Sequence, residues 1–578
     1  MDAPKLAGKG AGAQWVHGPT ARPNLEVEAL HEPERRAPFP LPRSAAFGSF
    51  SRVIPKTGSD SGPAAGSLGG ALRGWEIAYL FLLVAGLLTA FWLKSGKEYF
   101  GHDEFMTAVL AGGSSLPAML DTIRNGGETN PPLYFILEWL VARGFGTGET
   151  AMRMLSAAGT SLSAVVVFFT LRRVVGSRNA ALAVGLVFGL SRGVYEYLLW
   201  ARYYGIFLLL AALMASLFVR INSAETLRRR DVGFVFLVHA AMVYLHLFGA
   251  LFSGMFLVAQ LAMDWLRGRW RWPLVGAVAA AWATFLFWAP ALAKQFSVTS
   301  SGTWTPRMPF GLFVDEPAMQ TPLATVLLLV AALAVLTSLA RRVEGIPTAP
   351  GAEWTALLVL ALAWMTVPVA TWAISQVRQP IYMQRYVAPC IVALTLIVAV
   401  GLWAVGRLPR PDSVLAGRVP GWLPRLAEAG ILGGCLIFQP LRASQDPQRP
   451  AAAFADQDFG HPNVPIAFED SMDFLPRAYY GKGREYLLLI DPDAAAASTG
   501  YFTKQMDRLF SPFRAHHPEL KVRYPQELPT ESEGFLVVHA AHAETFEWIL
   551  KHRPGFQAER LGAWPNGQEV YWVRRAAN

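Results

Sequence analysis

Residues 75–104 read WEIAYLFLLVAGLLTAFWLKSGKEYFGHDE. The run from Trp75 to Leu93 is the first long apolar stretch of the chain, and a helix needs about 20 such residues to cross a bilayer. A short polar connection then delivers His102, Asp103 and Glu104 together. From Trp75 to about residue 440, apolar runs alternate with short polar connections. They give expected crossings at 75–94, 151–171, 179–195, 204–221, 232–247, 249–266, 273–292, 321–340, 353–375, 385–406 and 427–440, about eleven in all. The third is interrupted by Ser191, Arg192 and Gly193, and the last is short.

Composition agrees. Of 578 residues 53% are hydrophobic and 16% charged, against about 25% charged in soluble domains, so the excess apolar surface has to face lipid. Lys and Arg number 51 against 42 Asp and Glu, a formal charge of +9. The cations are not spread evenly. Alternate connections hold Arg172, Arg173 and Arg178; Arg228, Arg229 and Arg230; Arg267, Arg269 and Arg271; Arg341 and Arg342; and Arg407, Arg410, Arg418 and Arg425. The positive-inside rule makes these connections cytoplasmic, together with a disordered, Pro- and Gly-rich tail at 1–74. They are topology signals and call for no nucleic acid. Residues 95–150, 196–203, 293–320, 376–384 and 441–578 then face the other side. Cys390 and Cys435 both lie in apolar runs and read as small core or lipid-facing residues, not a disulfide or a metal site.

Within 95–150 the apolar residues Met106, Val109, Leu110, Leu116, Met119, Leu120 and Ile123 recur at helical spacing, the pattern of helices lying in the membrane interface. After residue 441 the pattern changes. Pro465–Phe468, Tyr486–Ile490 and Phe535–His539 read as buried strands, with helices near 470–478, 502–513 and 543–552 and a closing strand pair near 556–561 and 569–574. This alternation indicates a small α/β domain. No glycine-rich phosphate loop follows a strand, which argues against a nucleotide site. The fold class expected is therefore a polytopic α-helical membrane protein, with a membrane domain at 75–440 and an α/β domain at 441–578 on the outer side.

Ionisable groups near a membrane are costly and ask for a role. On the outer side stand His102, Asp103, Glu104, Glu128, Asn130, Glu196, Arg202, His246, Lys294, Trp304, Arg307, Asp315, Glu316, Arg378, Gln384 and Arg385. Acids and cations on one face suit an anionic substrate and a reaction that needs a base.

The order of Gly101-His102-Asp103-Glu104, Asn130-Pro131-Pro132-Leu133-Tyr134-Phe135, Arg153-Met154-Leu155-Ser156, Ala201-Arg202-Tyr203-Tyr204-Gly205, Tyr244-Leu245-His246-Leu247-Phe248-Gly249, Trp304-Thr305-Pro306 and Arg385-Tyr386 resembles the GT-C glycosyltransferases. Within them it is similar to the protein O-mannosyltransferase and aminoarabinose-transferase group. The resemblance spans roughly residues 75–410. It implies an integral membrane enzyme of the bacterial inner membrane with interfacial helices in its first outer loop. The enzyme would take a polyprenyl-phosphate sugar as donor and a lipid, glycan or protein hydroxyl as acceptor, at the periplasmic face. It implies Asp103 as catalytic base, with Glu104, His102, Asn130 and Tyr134 holding the acceptor or shaping the site. Arg202, Arg378, Arg385, Lys294 and Arg307 are the candidates for the donor phosphate. Glu128, Glu196, Tyr203, His246 and Trp304 are further candidates. Two positions depart from the family pattern: Trp200 precedes the Ala-Arg pair, where relatives often carry an acid, and Asn130 stands where a His is frequent.

The chemistry needs only one carboxylate. A phosphate leaves as a stable anion, so no second carboxyl is needed as acid, unlike a glycosidase expelling an alcohol. Inversion at the anomeric carbon follows from a single displacement. Plainer roles remain open for each residue. Asp103 and Glu104 suit a helix N-terminus, the arginines suit snorkelling anchors, and Tyr203, Tyr204 and Trp304 suit an aromatic belt. His246 suits an interhelical hydrogen bond. His102, Glu128 and Asn130 lack zinc spacing, and a divalent metal stays open as a cofactor. The alternative class is a transporter or flippase of lipid-linked sugars. That class often shows internal repeats and mid-depth charges, neither of which is evident here.

Overall fold

The computed structural model describes residues 71–299, 305–313, 330, 352–405, 420, 422–446, 456–457, 459–481, 483–528 and 534–575. The tail to residue 70, Trp304, Asp315, Glu316 and the crossing expected at 321–340 lie outside them.

Helix α1 (Gly74–Lys94) leads into three short helices of the first loop: α2 (His102–Gly112), α3 (Leu116–Thr122) and α4 (Leu133–Phe145). The bundle continues with α5 (Glu149–Val175), α6 (Ser177–Leu190), α7 (Arg192–Leu199), α8 (Tyr204–Ser223), α9 (Arg229–Leu245), α10 (Leu247–Leu266), α11 (Trp272–Thr284), α12 (Ala289–Thr299), α13 (Ala352–Val377), α14 (Cys390–Val405) and α15 (Trp422–Gln445). Among the described residues six helices are long and apolar enough to cross a membrane: Gly74–Lys94, Glu149–Val175, Tyr204–Ser223, Leu247–Leu266, Trp272–Val298 and Glu353–Val377. The bent pair α6 and α7 makes a seventh. It turns by 66° at Ser191, where the Ser191 hydroxyl caps α7 by accepting the Val194 N–H, so the polar interruption of this crossing has a structural cause. The remaining expected crossings are shorter or less apolar: α9 has 17 residues, and α14 is a short apolar helix.

The bundle has two chemically different ends. At one, arginines tie helix starts and stops together: Arg172 to Glu76 at 3.1 Å, Arg173 to Glu353 at 2.8 Å, and Arg271 to Asp264 at 2.7 Å. At the other end meet the C-termini of α1, α7 and α9, the N-termini of α5, α8 and α10, and the 3-10 turn Gln384–Val387 before α14.

Two glycines set the geometry of that second end. A side chain at Gly205 would run into the Ser156 backbone, and one at Gly159 into the Gly205 carbonyl. Thus α5 and α8 touch backbone to backbone, as small residues allow in membrane bundles. Ser156 sits in the seam, donating to the Tyr197 and Arg202 carbonyls at 2.8 and 3.1 Å and accepting the Gly205 N–H at 3.1 Å. This anchors the Trp200–Tyr203 turn.

The C-terminal region forms a six-stranded sheet from β1 (Ile466–Phe468), β2 (Tyr486–Leu489), β3 (Val522–Arg523), β4 (Phe535–His539), β5 (Phe556–Ala563) and β6 (Glu569–Arg575), in the order β3-β2-β1-β4-β6-β5. The first four are parallel, and β6 runs antiparallel to β4 and β5. Helices α16 (Ser471–Tyr480), α17 (Pro492–Ala497), α18 (Tyr501–His516) and α19 (Thr545–His552) connect them. Sequence reading finds β1, β2, β4 and the closing pair but misses β3, whose two residues are too few to show a period.

The sheet region packs on the first loop. Tyr480 accepts the Phe100 N–H at 3.1 Å and donates to Glu149 at 2.8 Å, while Tyr479 donates to the Thr147 carbonyl at 2.7 Å. The rings of Phe100, Phe105, Tyr479 and Tyr480 pack edge to face between them.

Candidate active site

Helix α2 begins at His102 and carries its two acids in the first turn, where the helix dipole favours negative charge. The two point in different directions and have different surroundings. Glu104 is inside, with 5% of its surface exposed, and Arg153 beside it has 1%. Arg153 donates to both carboxylate oxygens, Nε to Oε1 at 2.8 Å and Nη2 to Oε2 at 3.0 Å. The backbone N–H groups of Gly101 and Ala201 donate to the same carboxylate at 2.8 Å each. The rest of the Arg153 fork reaches the carbonyls of Ser95, Glu98 and Tyr99. Glu104 therefore locks α1, α2, α5 and the turn before α8 into one unit. Both of its oxygens are engaged by these groups.

Asp103 faces outward, its side chain 36% exposed. Its Oδ2 lies 3.2 Å from Nη2 of Arg385 and its Oδ1 lies 3.8 Å from Nδ1 of His102. Burial alone would raise its pKa. The Arg202 guanidinium, the neighbouring His102 ring and the Arg385 charge outweigh that and hold the carboxyl well below the usual carboxylate range. Arg385, 19% exposed, also stands over the Trp200 and Tyr386 rings.

Arg202 is differently placed. Its Nη1 reaches Glu128 Oε2 at 3.1 Å, Thr107 Oγ1 at 3.2 Å and the Asp103 carbonyl at 3.2 Å, and its Nε is buried without a hydrogen-bond partner. Glu128 in turn gathers the N–H groups of Thr129 and Asn130 and the Asn130 amide. Arg202, a candidate for the donor phosphate, thereby ties the backbone under Asp103 to Glu128 and Thr107. Asn130 belongs to the same network; its carbonyl accepts from Gln295 at 3.1 Å.

Tyr134 is fully buried and donates to Glu138 at 2.6 Å. Burial pushes the Glu138 carboxyl up to about 8. Tyr203 stacks on His246 with ring centroids 4.3 Å apart, and His246 also meets the Tyr386 ring at 5.0 Å. Nδ1 of His246 accepts the Phe248 N–H at 3.1 Å, capping α10. These three aromatic groups form the floor of the site.

The structure does not bring the remaining candidates to Asp103. Lys294 is exposed and donates to Asn125 at 2.5 Å. Arg307, also exposed, donates to the Arg378 carbonyl at 3.2 Å, and the Arg378 side chain is exposed on the next turn. Glu196 pairs with Arg192 along α7 at 2.7 Å. Sequence reading, in turn, leaves Arg153 and Ser156 without a role, although both stand in a quoted motif. A buried arginine in an apolar helix needs a carboxylate partner, and that was the available signal. Among the described residues no group of three or more His, Cys, Asp or Glu side chains is placed to hold a metal ion. Glu104 and Glu128 each face an arginine.

No protein-family model and no curated protein sequence matches the chain. Solved structures do. ArnT from Cupriavidus metallidurans in the apo state aligns with a TM-score of 0.50 at 13% identity, over 86% of this chain and 97% of that one. The same protein bound to undecaprenyl phosphate aligns with a TM-score of 0.49 at 13% identity, over 87% and 98%. The oligosaccharyltransferase AglB from Archaeoglobus fulgidus, in complex with an inhibitory peptide and a dolichol-phosphate, gives 0.40 at 12% identity, over 75% and 64%. With a bundle of apolar helices and a terminal sheet region, this chain shares the fold of apo ArnT.

Proposed function

We propose that this protein is a membrane glycosyltransferase that moves one sugar, with inversion, from a polyprenyl-phosphate donor to a hydroxyl of a lipid, glycan or protein acceptor at the periplasmic face. The observation that carries this is the pairing of one outward-facing carboxylate, Asp103, with one partly exposed arginine, Arg385, on a floor of buried struts. The arginine-rich opposite end of the bundle, cytoplasmic by the positive-inside rule, supports this choice of face.

In this reading the acceptor oxygen attacks the anomeric carbon while the bond from that carbon to the phosphate oxygen breaks. The bonding electrons leave with the phosphate, and Asp103 takes the hydroxyl proton. Arg385 stabilises the charge that grows on the phosphate. A carboxylate held as low as Asp103 is a weak base. A donor phosphate that draws Arg385 onto itself removes one of the lowering charges, so the base strengthens when the donor is in place. The reaction needs no second carboxyl.

Purified protein in lipid, given polyprenyl-phosphate sugars and envelope lipid or glycan acceptors, should release polyprenyl phosphate and transfer sugar in equal amounts. Mass spectrometry of envelopes with and without an active copy should show one missing sugar. Donors left intact by the wild-type chain and an unchanged envelope would sink the proposal.

Arg385→Ala gives a sharper result. Donor KM should rise roughly tenfold or more, in line with losing about 1.5–3 kcal/mol for a charged hydrogen bond. The acid limb of kcat/KM reports the free enzyme. A carboxyl held below the usual value of about 3.9 stays ionised as pH falls, so removing Arg385 should move that limb upward. An unchanged donor KM would remove Arg385 as phosphate ligand.

A further inference from the structure

His102 precedes Asp103 and opens α2, and its ring stands between Asp103 and the terminal sheet region. Nδ1 faces Asp103 Oδ1 at 3.8 Å, and Nε2 lies 2.8 Å from the hydroxyl of Ser471. Ser471 is the first residue of α16, with 1% of its surface exposed. It is held tightly. Asp470, directly before it, caps the helix by accepting the Met472 N–H at 2.8 Å and meets His542 Nε2 at 3.1 Å. The Tyr479 and Tyr480 contacts at the other end of α16 seat the helix on the first loop.

A neutral imidazole carries one N–H, and an ionised carboxylate only accepts. A lone pair on Nδ1 aimed at Asp103 would be repelled, so the proton belongs on Nδ1 and Nε2 must accept. Ser471, whose hydroxyl can donate, supplies that proton. The partner of one ring nitrogen thus decides what the other presents.

We infer that Ser471 of the terminal sheet region is a positioning residue of the active site, which fixes the tautomer and tilt of His102 so that His102 aligns Asp103. This deepens the assignment of Asp103 as base and rests on it. The sheet region is then part of the site: a residue far along the chain sets the first turn of α2.

The test uses the full chain in lipid nanodiscs, with histidine labelled in ¹⁵N and the His102 signals assigned by difference with His102→Gln. Wild-type protein at neutral pH should carry its proton on Nδ1, and Ser471→Ala should lose that preference. A wild-type ring protonated on Nε2 alone overturns the inference, whether or not the chain transfers sugar. Turnover separates positioning from docking. Asn at 102 can present a donor to Asp103 but not reach Ser471, and Gln does the reverse. Ser471→Ala and His102→Gln should each lose about 10- to 100-fold in kcat, the size expected for a misplaced group, with both KM values unchanged, and His102→Asn should lose less than His102→Gln. Full activity in His102→Gln with loss in His102→Asn would mean that the contact only docks the sheet region. Absence of turnover in the wild type would count against the glycosyltransferase assignment, and the tautomer would still decide the role of Ser471.

Discussion

Asp103→Asn is expected to cut transfer by about 10²–10⁴-fold, the usual share of a positioned acid or base, while the protein still folds, inserts and binds donor. The expectation of normal folding comes from the surroundings of Asp103. Its side chain is partly exposed and its ion pair with Arg385 is a single contact at 3.2 Å, a kind of pair worth about 1 kcal/mol or less. The asparagine amide keeps the size of the side chain and can still hydrogen-bond an acceptor hydroxyl, but it cannot take the proton. Acceptor and donor KM should therefore stay close to wild type while kcat falls. Released polyprenyl phosphate and glycosylated acceptor, measured in the same reaction, check this. Near-normal turnover would remove Asp103 as base and leave the acid pair with the structural role that a helix N-terminus permits.

The contrast between Asp103 and Glu104 shows what the sequence discloses and what it hides. Composition and the spacing of arginines suffice for a multi-helix membrane protein with two unlike ends, because both follow from chain-local properties. The strands at Ile466, Tyr486 and Phe535 are legible for the same reason: each is a short buried run. Adjacent acids on a helix, however, point about 100° apart, and nothing local says which one faces inward. That is decided by Arg153 on α5 and the Ala201 N–H before α8, both distant in sequence. Arg202 and Arg385 look equivalent as outer cations. In the fold Arg202 meets Glu128 inside, while Arg385, set on a 3-10 turn, is left on the surface of the site. Lys294, Arg307 and Arg378 are assigned to the same side by the charge pattern but do not share the place, since a side assignment constrains depth and not position around the bundle. Ser471 gives no signal at all, because its contact with His102 exists only once the sheet region docks on the first loop.

Arg153→Met should be the most damaging substitution for stability, and its effect should differ in kind from that of Asp103→Asn. Removing the guanidinium leaves Glu104 buried with a charge and only the Gly101 and Ala201 N–H groups to satisfy it. It also strips donors from the Ser95, Glu98 and Tyr99 carbonyls. Breaking one side of a buried pair costs about 3–5 kcal/mol, a large part of the 5–15 kcal/mol that holds a typical domain together. The yield of folded, detergent-stable protein should drop sharply, and the midpoint of thermal unfolding with it. Glu104→Gln alone should also destabilise, since Arg153 then stays buried without its paired carboxylate. The double variant Arg153→Met, Glu104→Gln should recover part of the loss, because it removes both charges and keeps an amide oxygen to accept one of the two backbone N–H groups. That non-additivity is the signature of a direct pair. Two single losses that simply sum in the double variant would mean that the two side chains act separately, and that α2 is held in place by its aromatic packing and not by this ion pair.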